Sequence, residues 1–249
     1  MIEAVLTVDD IPSGNTEEIV QYLNENGITA VMFAVGNKLE KNPDSAIYAL
    51  RHRMIVGNHS YSHPAFSSLS LEEAKGEIEK SEELLDKLYL AAGVERKYRP
   101  FRFPYGDKGG ANKDALQQYL ASRGFNKLKD TQIPYAFWKE TGRDRDIDTL
   151  WTFDFAEYRI RKGSGFTLED VFRRIREPAP TEGAPLLQDG GSHILLMHAH
   201  DETGELVPDY WKILIGTLLD KGVTFRTPEF FPERRDGLFR SAAFSCLQK

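Results

Sequence analysis

The chain of 249 residues has 41% hydrophobic and 28% charged residues, a composition typical of a folded globular protein with a substantial core. Its formal net charge of -6 disfavours the basic face that nucleic-acid binding requires, and no apolar run reaches the ~18 residues of a membrane span. The single cysteine, Cys246, cannot form an internal disulfide. A strand pattern begins at Ile2, so no signal peptide is visible, which leaves open a cytosolic protein or an exported one whose leader is removed.

Short strands alternate with amphipathic helices along the chain. The predicted strands are residues 3–8, 29–35, 54–57, 101–103, 124–128, 149–153, 193–198 and 223–226. Helical periodicity covers residues 16–26, 70–92, 112–122, 167–176 and 209–221. This alternation predicts an α/β protein built of βα units around a parallel sheet, and seven or eight such units favour a closed or nearly closed (β/α) barrel. An open doubly wound sheet is the rival, but no Gly-rich phosphate-binding fingerprint follows any strand.

Two stretches are expected to be surface insertions within one domain that covers residues 1–249. Residues 130–148 are polar and aromatic without a clean period, and residues 177–192 are rich in proline and glycine. A core-type strand follows each stretch, so both are interpreted as long loops rather than linkers between domains.

Polar residues cluster at the carboxyl ends of five predicted strands. In a parallel barrel these ends open on one face, where the loops build the active site. Taken singly, each cluster has an ordinary structural explanation, such as a turn, a helix cap or a salt bridge. The coincidence of five clusters on one face favours a functional site. They are Asp9 with Asp10, His59 with His63, Arg102 with Tyr105, Asp154 with Glu157 and Tyr158, and His198 with His200, Asp201 and Glu202.

The residue types at these strand ends suit a catalytic metal site. His59 and His63 offer two imidazoles on one local turn, and Asp10 offers a carboxylate, which together leave coordination positions open as in catalytic zinc sites. A metal there lowers the pKa of water, and the adjacent Asp9 is placed to act as a general base. The two neighbouring aspartates therefore receive different predicted roles.

The motifs resemble those of the polysaccharide deacetylases of carbohydrate esterase family 4. Residues 7–10 match the family's threonine-aromatic-Asp-Asp motif, residues 59–64 its His-Ser/Thr-x-x-His-Pro motif, and residues 102–106 its Arg-x-Pro-Tyr-Gly motif. Residues 154–158 match Asp-x-x-Asp-Trp in weakened form, and residues 196–198 match Leu-x-His. The resemblance implies a distorted barrel of seven or eight strands that forms a polysaccharide deacetylase-like catalytic domain.

The resemblance also implies the residues of the site. Zn²⁺, or another divalent ion such as Co²⁺ or Ni²⁺, would be held by Asp10, His59 and His63. The implied catalytic assignments are Asp9 as base, His198 as acid, Arg102 as the group that orients the base, Asp154 as the group that tunes His198, and the Tyr105 backbone N–H as oxyanion donor.

Substrate contacts are implied at Leu196, which would line the acetate-methyl pocket, and at Tyr105 and Tyr158. The usual Gly-Pro after the aspartates is Ile11-Pro12, and the fourth motif ends in Glu157 and Tyr158 instead of Asp and Trp. The first replacement predicts a different groove wall, and the second predicts a smaller and more polar packing contact for the substrate.

The aromatic insertion around Tyr135, Phe137 and Trp138 is a candidate sugar platform, with a loop packed on the barrel wall as the equal alternative.

The predicted function is removal of acetyl groups from N-acetylated sugars of a peptidoglycan or chitin-like glycan, with no nucleic acid and no obligate protein partner. An O-acetyl xylan esterase of the same fold and a non-catalytic carbohydrate-binding relative are the alternatives. A non-haem iron oxygenase and a magnesium-dependent phosphoryl-transfer enzyme fit the order of the motifs less well. His200 competes with His198 as the acid. The resemblance suggests action at the cell envelope or outside the cell.

Overall fold

The computed structural model describes residues 1–231, and six parallel strands form one sheet within this range. The strand order is β3-β2-β1-β5-β4, and β6 pairs with the first residues of β1. The strands are β1 (Ile2–Ile11), β2 (Val31–Ala34), β3 (Ile55–Asn58), β4 (Phe153–Asp154), β5 (Ser192–His198) and β6 (Val223–Phe225). The first strand is buried along almost its whole length, as expected for a parallel strand that is covered on both faces.

Two irregular segments span the gap between β3 and β4. Phe101 forms a single parallel bridge with Asn58, and the Thr149 N–H donates to the Phe101 carbonyl at 2.8 Å. On the other side, the Thr152 N–H donates to the Ile194 carbonyl at 2.9 Å. The sheet therefore curls into a distorted, nearly closed barrel, which confirms the predicted fold class.

Nine α-helices surround or follow the strands within the described residues. The five predicted helices are confirmed to within about one residue at each end. The four shorter helices were not predicted, because five to eight residues show too little of a 3.6-residue period. The helices are α1 (Thr16–Glu25), α2 (Gly36–Lys41), α3 (Asp44–Arg51), α4 (Leu71–Ala92), α5 (Lys113–Ser122), α6 (Ala136–Glu140), α7 (Leu168–Arg176), α8 (Asp201–Leu206) and α9 (Tyr210–Asp220).

Helix α4 is the longest, and its ends follow from its sequence. Ser70 and Glu73 form a capping box at the start, where each side chain accepts the other's backbone N–H. Gly93 ends the helix with φ of 69°, a left-handed conformation that favours glycine. None of the helices in residues 1–231 is long and apolar enough to cross a membrane.

Three of the eight predicted strands are reduced to a single bridge or to two residues. Residues 101–103 contribute one bridge, residues 149–153 give only the two-residue β4, and residues 124–128 contribute a single antiparallel bridge at Leu128. The prediction of a regular strand at residues 124–128 is therefore wrong. These segments complete the barrel through isolated hydrogen bonds. Their apolar residues reflect burial rather than regular strand pairing.

The two faces of β1 pack against different partners. Leu6 and Val8 belong to the large core cluster formed with the outer helices, whereas Val5 packs with Val31 and Phe33 in a second cluster. Side chains alternate along a strand, so Thr7 and Asp9 share the face of Val5, which lines the barrel interior. This alternation delivers polar side chains to the interior at the carboxyl end of β1.

Candidate active site

The predicted metal ligands lie together at the carboxyl ends of β1 and β3. The Asp10 Oδ1 atom is 3.3 Å from His63 Nε2 and 3.8 Å from His59 Nε2. Ligands about 2.0–2.1 Å from one tetrahedral ion would be separated by roughly 3.3 Å. The three donor atoms therefore converge closely enough to share one divalent ion.

A break in strand regularity lets adjacent aspartates serve the same site. Neighbouring strand residues normally point to opposite faces, but the β1–β2 register shifts between Val8 and Ile11. Asp10 lies in the left-handed region, with φ of 71°, while the preceding Asp9 keeps its place on β1. The irregular turn thus brings Asp10 to the side on which Asp9 points. Lys38 supports this turn, because its ammonium donates to the Asp10 carbonyl at 2.8 Å.

Each histidine directs its Nε2 atom towards Asp10. His59 Nδ1 lies 2.8 Å from the Arg102 carbonyl, and since a carbonyl only accepts, this nitrogen carries a proton, which leaves Nε2 as the nitrogen that could bind an ion. The His63 backbone N–H donates to Ser60 Oγ at 3.1 Å. Burial, and then the charge of His59, lower the pKa of His63 to about 4, so its imidazole is neutral near pH 7. Two imidazole nitrogens and one carboxylate fit a divalent cation.

The electrostatics of Asp10 suit the same role. Burial raises the pKa of the Asp10 carboxyl, but His59, His198, His63 and Lys38 together outweigh it, so the pKa lies below its ordinary value. The group is therefore an anionic carboxylate at neutral pH.

A buried ion pair fixes Asp9 beside this triad. Arg102 is fully buried, and its Nη1 donates to Asp9 Oδ1 at 2.6 Å and to Thr7 Oγ1 at 2.8 Å. The Arg102 Nε donates to the Thr149 carbonyl at 2.8 Å, and its guanidinium lies 4.5 Å from the centre of the Phe33 ring. The free Asp9 oxygen, Oδ2, is 3.4 Å from His59 Nε2. Asp9 thus presents one oxygen to the triad while Arg102 holds the other.

His198 lies across from Asp9 at the end of β5. The two residues are direct partners in the parallel β1–β5 pairing, so their side chains emerge on the same face. The Glu157 carboxylate accepts the His198 backbone N–H and contacts its Nδ1 at 3.3 Å. Burial alone would lower the pKa of His198, but the hydrogen bond and charge of Glu157, with Asp154 and Asp9, raise it to about 9. His198 is therefore a charged imidazolium at neutral pH.

The tuning role that the resemblance gave to Asp154 has a different geometry in the structure. Glu157 is fully buried and makes the direct contact with His198, while Asp154 Oδ1 accepts the Ala156 N–H at 2.7 Å. Asp154 remains within 4.8 Å of both groups and adds its charge, and burial raises its own pKa. No separate role was predicted for Glu157, whose side chain is fully buried and faces His198 rather than an open groove. The acidic residue at this motif position was the feature of the sequence that could have indicated this contact.

Three predicted substrate-contact residues lie around the site. Tyr105 is 71% exposed, with its ring edge-on to His63 at 4.7 Å, and it occupies the left-handed region at φ of 59°. The Tyr158 ring lies 4.5 Å from the His198 ring. Leu196 is buried two residues before His198 on the same face of β5. These positions border the space between the triad and His198.

Trp138 is not part of the site, and its prediction as a sugar platform is wrong. The side chain is only 2% exposed, and its indole N–H donates to Asp130 Oδ2 at 2.7 Å. The same insertion places the Tyr135 hydroxyl 2.8 Å from His193, five residues before His198 on β5, which is roughly 16 Å along the strand. The insertion therefore packs near the amino-terminal end of the barrel, away from the mouth.

The structure shows the contacts of two further side chains near the mouth, Trp151 and His200. Trp151 is half-buried, lies 5.4 Å from the Arg102 guanidinium, and would come within 3.0 Å of a Cβ placed on Gly106. The sequence placed Trp151 in a strand but gave no sign that it contacts the third motif. His200 caps α8, where its ring accepts the Thr203 N–H, and burial together with Arg161 lowers its pKa. These features favour His198 over His200 as the acid.

Strained backbone concentrates in this region. Seven non-glycine residues in the described range have positive φ, and five of them lie in the site motifs: Asp10, Ser60, His63, Tyr105 and Ala156. Such conformations cost of order 1–3 kcal/mol each and persist only where surrounding contacts hold them. The site is therefore built on turns that the barrel stabilises.

The mouth of this nearly closed parallel barrel carries two imidazoles, paired aspartates and a carboxylate-bound histidine. The family described as polysaccharide deacetylase matches residues 2–127, just over half of the chain. The chain belongs to this family.

Individual relatives carry related names. The chain is 34% identical over 106 residues to a peptidoglycan-N-acetylglucosamine deacetylase of Bacillus cereus, covering 42% of this chain and 37% of that protein. It is 34% identical over 180 residues to a peptidoglycan-N-acetylmuramic acid deacetylase of Bacillus subtilis, covering 70% of this chain and 33% of that protein. The chain thus spans about a third of the length of these curated relatives.

A solved structure supports the fold. The chitin deacetylase of Colletotrichum lindemuthianum superposes with a TM-score of 0.62 at 22% identity, covering 90% of this chain and 84% of that one. The shared barrel agrees with the architecture described above.

Proposed function

We propose that this chain is a metal-dependent deacetylase that removes acetyl groups from N-acetylated sugars of a glycan such as peptidoglycan or a chitin-like polymer. The observation that carries the proposal is the arrangement of an Arg-paired Asp9 and a Glu-paired His198 on adjacent strands beside the Asp10–His59–His63 triad. The names of the relatives support the same substrate class. We also propose that the chain acts as one catalytic domain, at the cell envelope or outside the cell, where such polymers are found.

The triad would hold Zn²⁺ or another divalent ion such as Co²⁺ or Ni²⁺. Such an ion supplies a Lewis acid that polarises the acetyl carbonyl and makes water more acidic when bound. Asp9 accepts the proton of the attacking water through the oxygen that faces the triad. Arg102 keeps that carboxylate in place, because its planar fork is anchored to Thr7 and Thr149 as well as to Asp9.

The acid step falls to His198. Cleavage of an amide expels an amine, which is a poor leaving group unless it receives a proton. The Glu157 carboxylate keeps the imidazole oriented and charged through Nδ1, which leaves Nε2 to donate to the leaving nitrogen. The Tyr105 backbone N–H is proposed to stabilise the oxyanion, and Leu196 to line the pocket for the acetyl methyl group. Tyr158 would pack against the sugar beside His198.

Metal analysis combined with acetate release from N-acetylglucosamine oligomers tests the proposal. The wild-type chain should bind one divalent ion per molecule and release acetate. His59→Ala should lose the ion and the activity together, whereas His52→Ala, a half-buried histidine outside the site, should keep both. Full metal content after replacement of both His59 and His63 would refute the metal site.

The same assay separates the alternatives. Acetate release from O-acetylated xylan but not from N-acetylated oligomers would identify an ester-specific relative. Binding of the oligomers without any acetate release would identify a non-catalytic carbohydrate-binding protein. Either outcome would overturn the proposed reaction while leaving the fold unchanged.

A further inference from the structure

The two histidines of the triad are joined by a short loop, residues 59–63, which we call the ligand loop. We infer that Glu77 of α4 is a positioning residue that holds this loop in the conformation that binds the ion. The inference rests on the proposed function, because it concerns the same metal site.

Glu77 contacts the two central residues of the ligand loop with both carboxylate oxygens. Its Oε2 accepts the Tyr61 N–H at 3.0 Å and the Ser62 N–H at 2.7 Å. Its Oε1 accepts the Ser62 hydroxyl at 2.8 Å. Hydrogen bonds to an ionised acceptor are stronger than those between neutral groups. A single side chain from a 22-residue helix thus fixes the peptide units between His59 and His63.

The rest of the loop backbone is held by neutral partners. The Gly36 N–H donates to the Ser60 carbonyl at 3.0 Å, and the Asn37 N–H donates to the Tyr61 carbonyl at 2.8 Å. The Asn58 side chain accepts the Ser60 N–H at 2.8 Å. A Cβ added at Gly36 would come within 2.8 Å of the Tyr61 ring, so α2 packs directly against this side of the loop. Glu77 supplies the charged acceptor for the loop backbone, and the Glu40 carboxylate separately accepts the Tyr61 hydroxyl at 2.6 Å.

The loop needs this support because its conformation is strained. Ser60 and His63 both lie in the left-handed region, with φ of 63° and 61°. Without an acceptor for the Tyr61 and Ser62 N–H groups, the loop can relax towards ordinary φ values. Relaxation would rotate the His63 ring away from Asp10 and His59, since His63 is the last residue of the loop. The first effect of losing Glu77 is therefore expected on metal affinity.

The test uses the full chain with Glu77→Gln, which removes the charge and replaces one accepting oxygen with a donor. The zinc dissociation constant is measured by competition with a chromophoric chelator, and Co²⁺ absorption reports coordination geometry. We expect zinc affinity to fall by ~10–100-fold, the usual effect of removing a residue that orients metal ligands, with an altered Co²⁺ spectrum. Glu83→Gln is the matched control, because Glu83 is exposed on the same helix. It should match the wild type in both measurements.

A second variant covers the case in which Glu77→Gln folds poorly. Ser62→Ala removes only the exposed hydroxyl donor and should lower zinc affinity by less than Glu77→Gln does. The metal-free thermal unfolding midpoint is recorded for every variant.

Three outcomes overturn the inference. One is zinc affinity and a Co²⁺ spectrum unchanged in Glu77→Gln. Another is a lower unfolding midpoint with unchanged zinc affinity, which would show a purely structural role. The third, a wild-type chain that binds no divalent ion, would overturn the proposed function as well and so differs from a failure of Glu77 alone.

Discussion

Replacement of Glu157 by glutamine should move the titration of His198 by a large amount. The carboxylate is fully buried, accepts the His198 backbone N–H and lies 3.3 Å from Nδ1, so its charge acts at short range with little solvent to screen it. Glutamine keeps a similar size and one accepting oxygen but removes the charge. The substitution therefore isolates the electrostatic contribution of Glu157 from its packing.

The expected magnitude follows from the opposing influences on His198. Burial lowers the pKa, and Glu157, Asp154 and Asp9 together raise it from 6.5 to about 9, which corresponds to roughly 3 kcal/mol in favour of the imidazolium. Glu157 is the largest of the raising influences, so the pKa in Glu157→Gln should fall to about 6.5 or lower while burial persists. At pH 8 the charged fraction would drop about 30-fold.

The sign of the stability effect is also determined. Because the folded-state pKa of His198 is above its ordinary value, the interaction stabilises the fold fully below pH 6.5 and is lost as pH rises through about 9. The difference in the free energy of unfolding between the wild type and Glu157→Gln should therefore be larger at pH 6 than at pH 10.

Imidazole NMR titration measures the pKa of His198 directly. The metal-free chain is used because a bound ion would add its own charge to the site. The His52 signal, from outside the site, provides an internal reference. The alkaline limb of the pH–rate profile of the loaded enzyme should move to lower pH in the variant. A His198 pKa in Glu157→Gln equal to that of the wild type would refute the reasoning, and an equal or larger fall in Asp154→Asn would transfer the tuning role to Asp154.

The other predictions concern the base, the acid and the insertion. Asp9→Asn should keep its metal while turnover falls by ~10² or more, as measured by metal content and acetate release; loss of the metal would make Asp9 a ligand. Arg102→Lys should also be poor, since an ammonium cannot replace the planar fork that contacts Asp9, and wild-type turnover in this variant would refute that role. His198→Ala should abolish amide cleavage but spare an aryl acetate, whose leaving group needs no proton; equal losses would argue against an acid role. Trp138→Ala should destabilise the fold by ~3–5 kcal/mol in denaturant unfolding, and a selective loss of long oligomers without destabilisation would contradict its buried position.

The convergence of Asp10, His59 and His63 was predictable from the order and spacing of these residues. His59 and His63 lie four residues apart on one turn, and the other ligand is at the end of an apolar strand, so a parallel barrel brings both segments to the same face. The pairing of Asp9 with His198 follows in the same way from two strands that end at one edge. The main strands and the long helices were predictable from hydrophobic periodicity, which short helices such as α2 show too weakly.

The role of Glu157 depended on backbone that periodicity does not encode. Ala156 takes a left-handed conformation at φ of 58°, and the chain turns there so that Glu157, rather than Asp154, reaches His198. Composition likewise indicated an aromatic insertion, but not which part of the barrel it packs against. Trp138 lies in the core, where the buried Asp130 accepts its indole N–H.

The sequence by itself determined which residues could bind a metal and exchange protons, because chemical type, order and spacing along the chain are written in it. Only the tertiary structure decided how the adjacent aspartates share one site and what holds the ligand loop. Strand alternation would send Asp9 and Asp10 to opposite faces, and the irregular turn at Asp10 overrides it. Glu77 reaches the ligand loop from a helix that begins eight residues after His63, and packing against the barrel determines that contact. Local pattern fixes the chemistry that each residue can supply, and long-range packing fixes which of those groups meet.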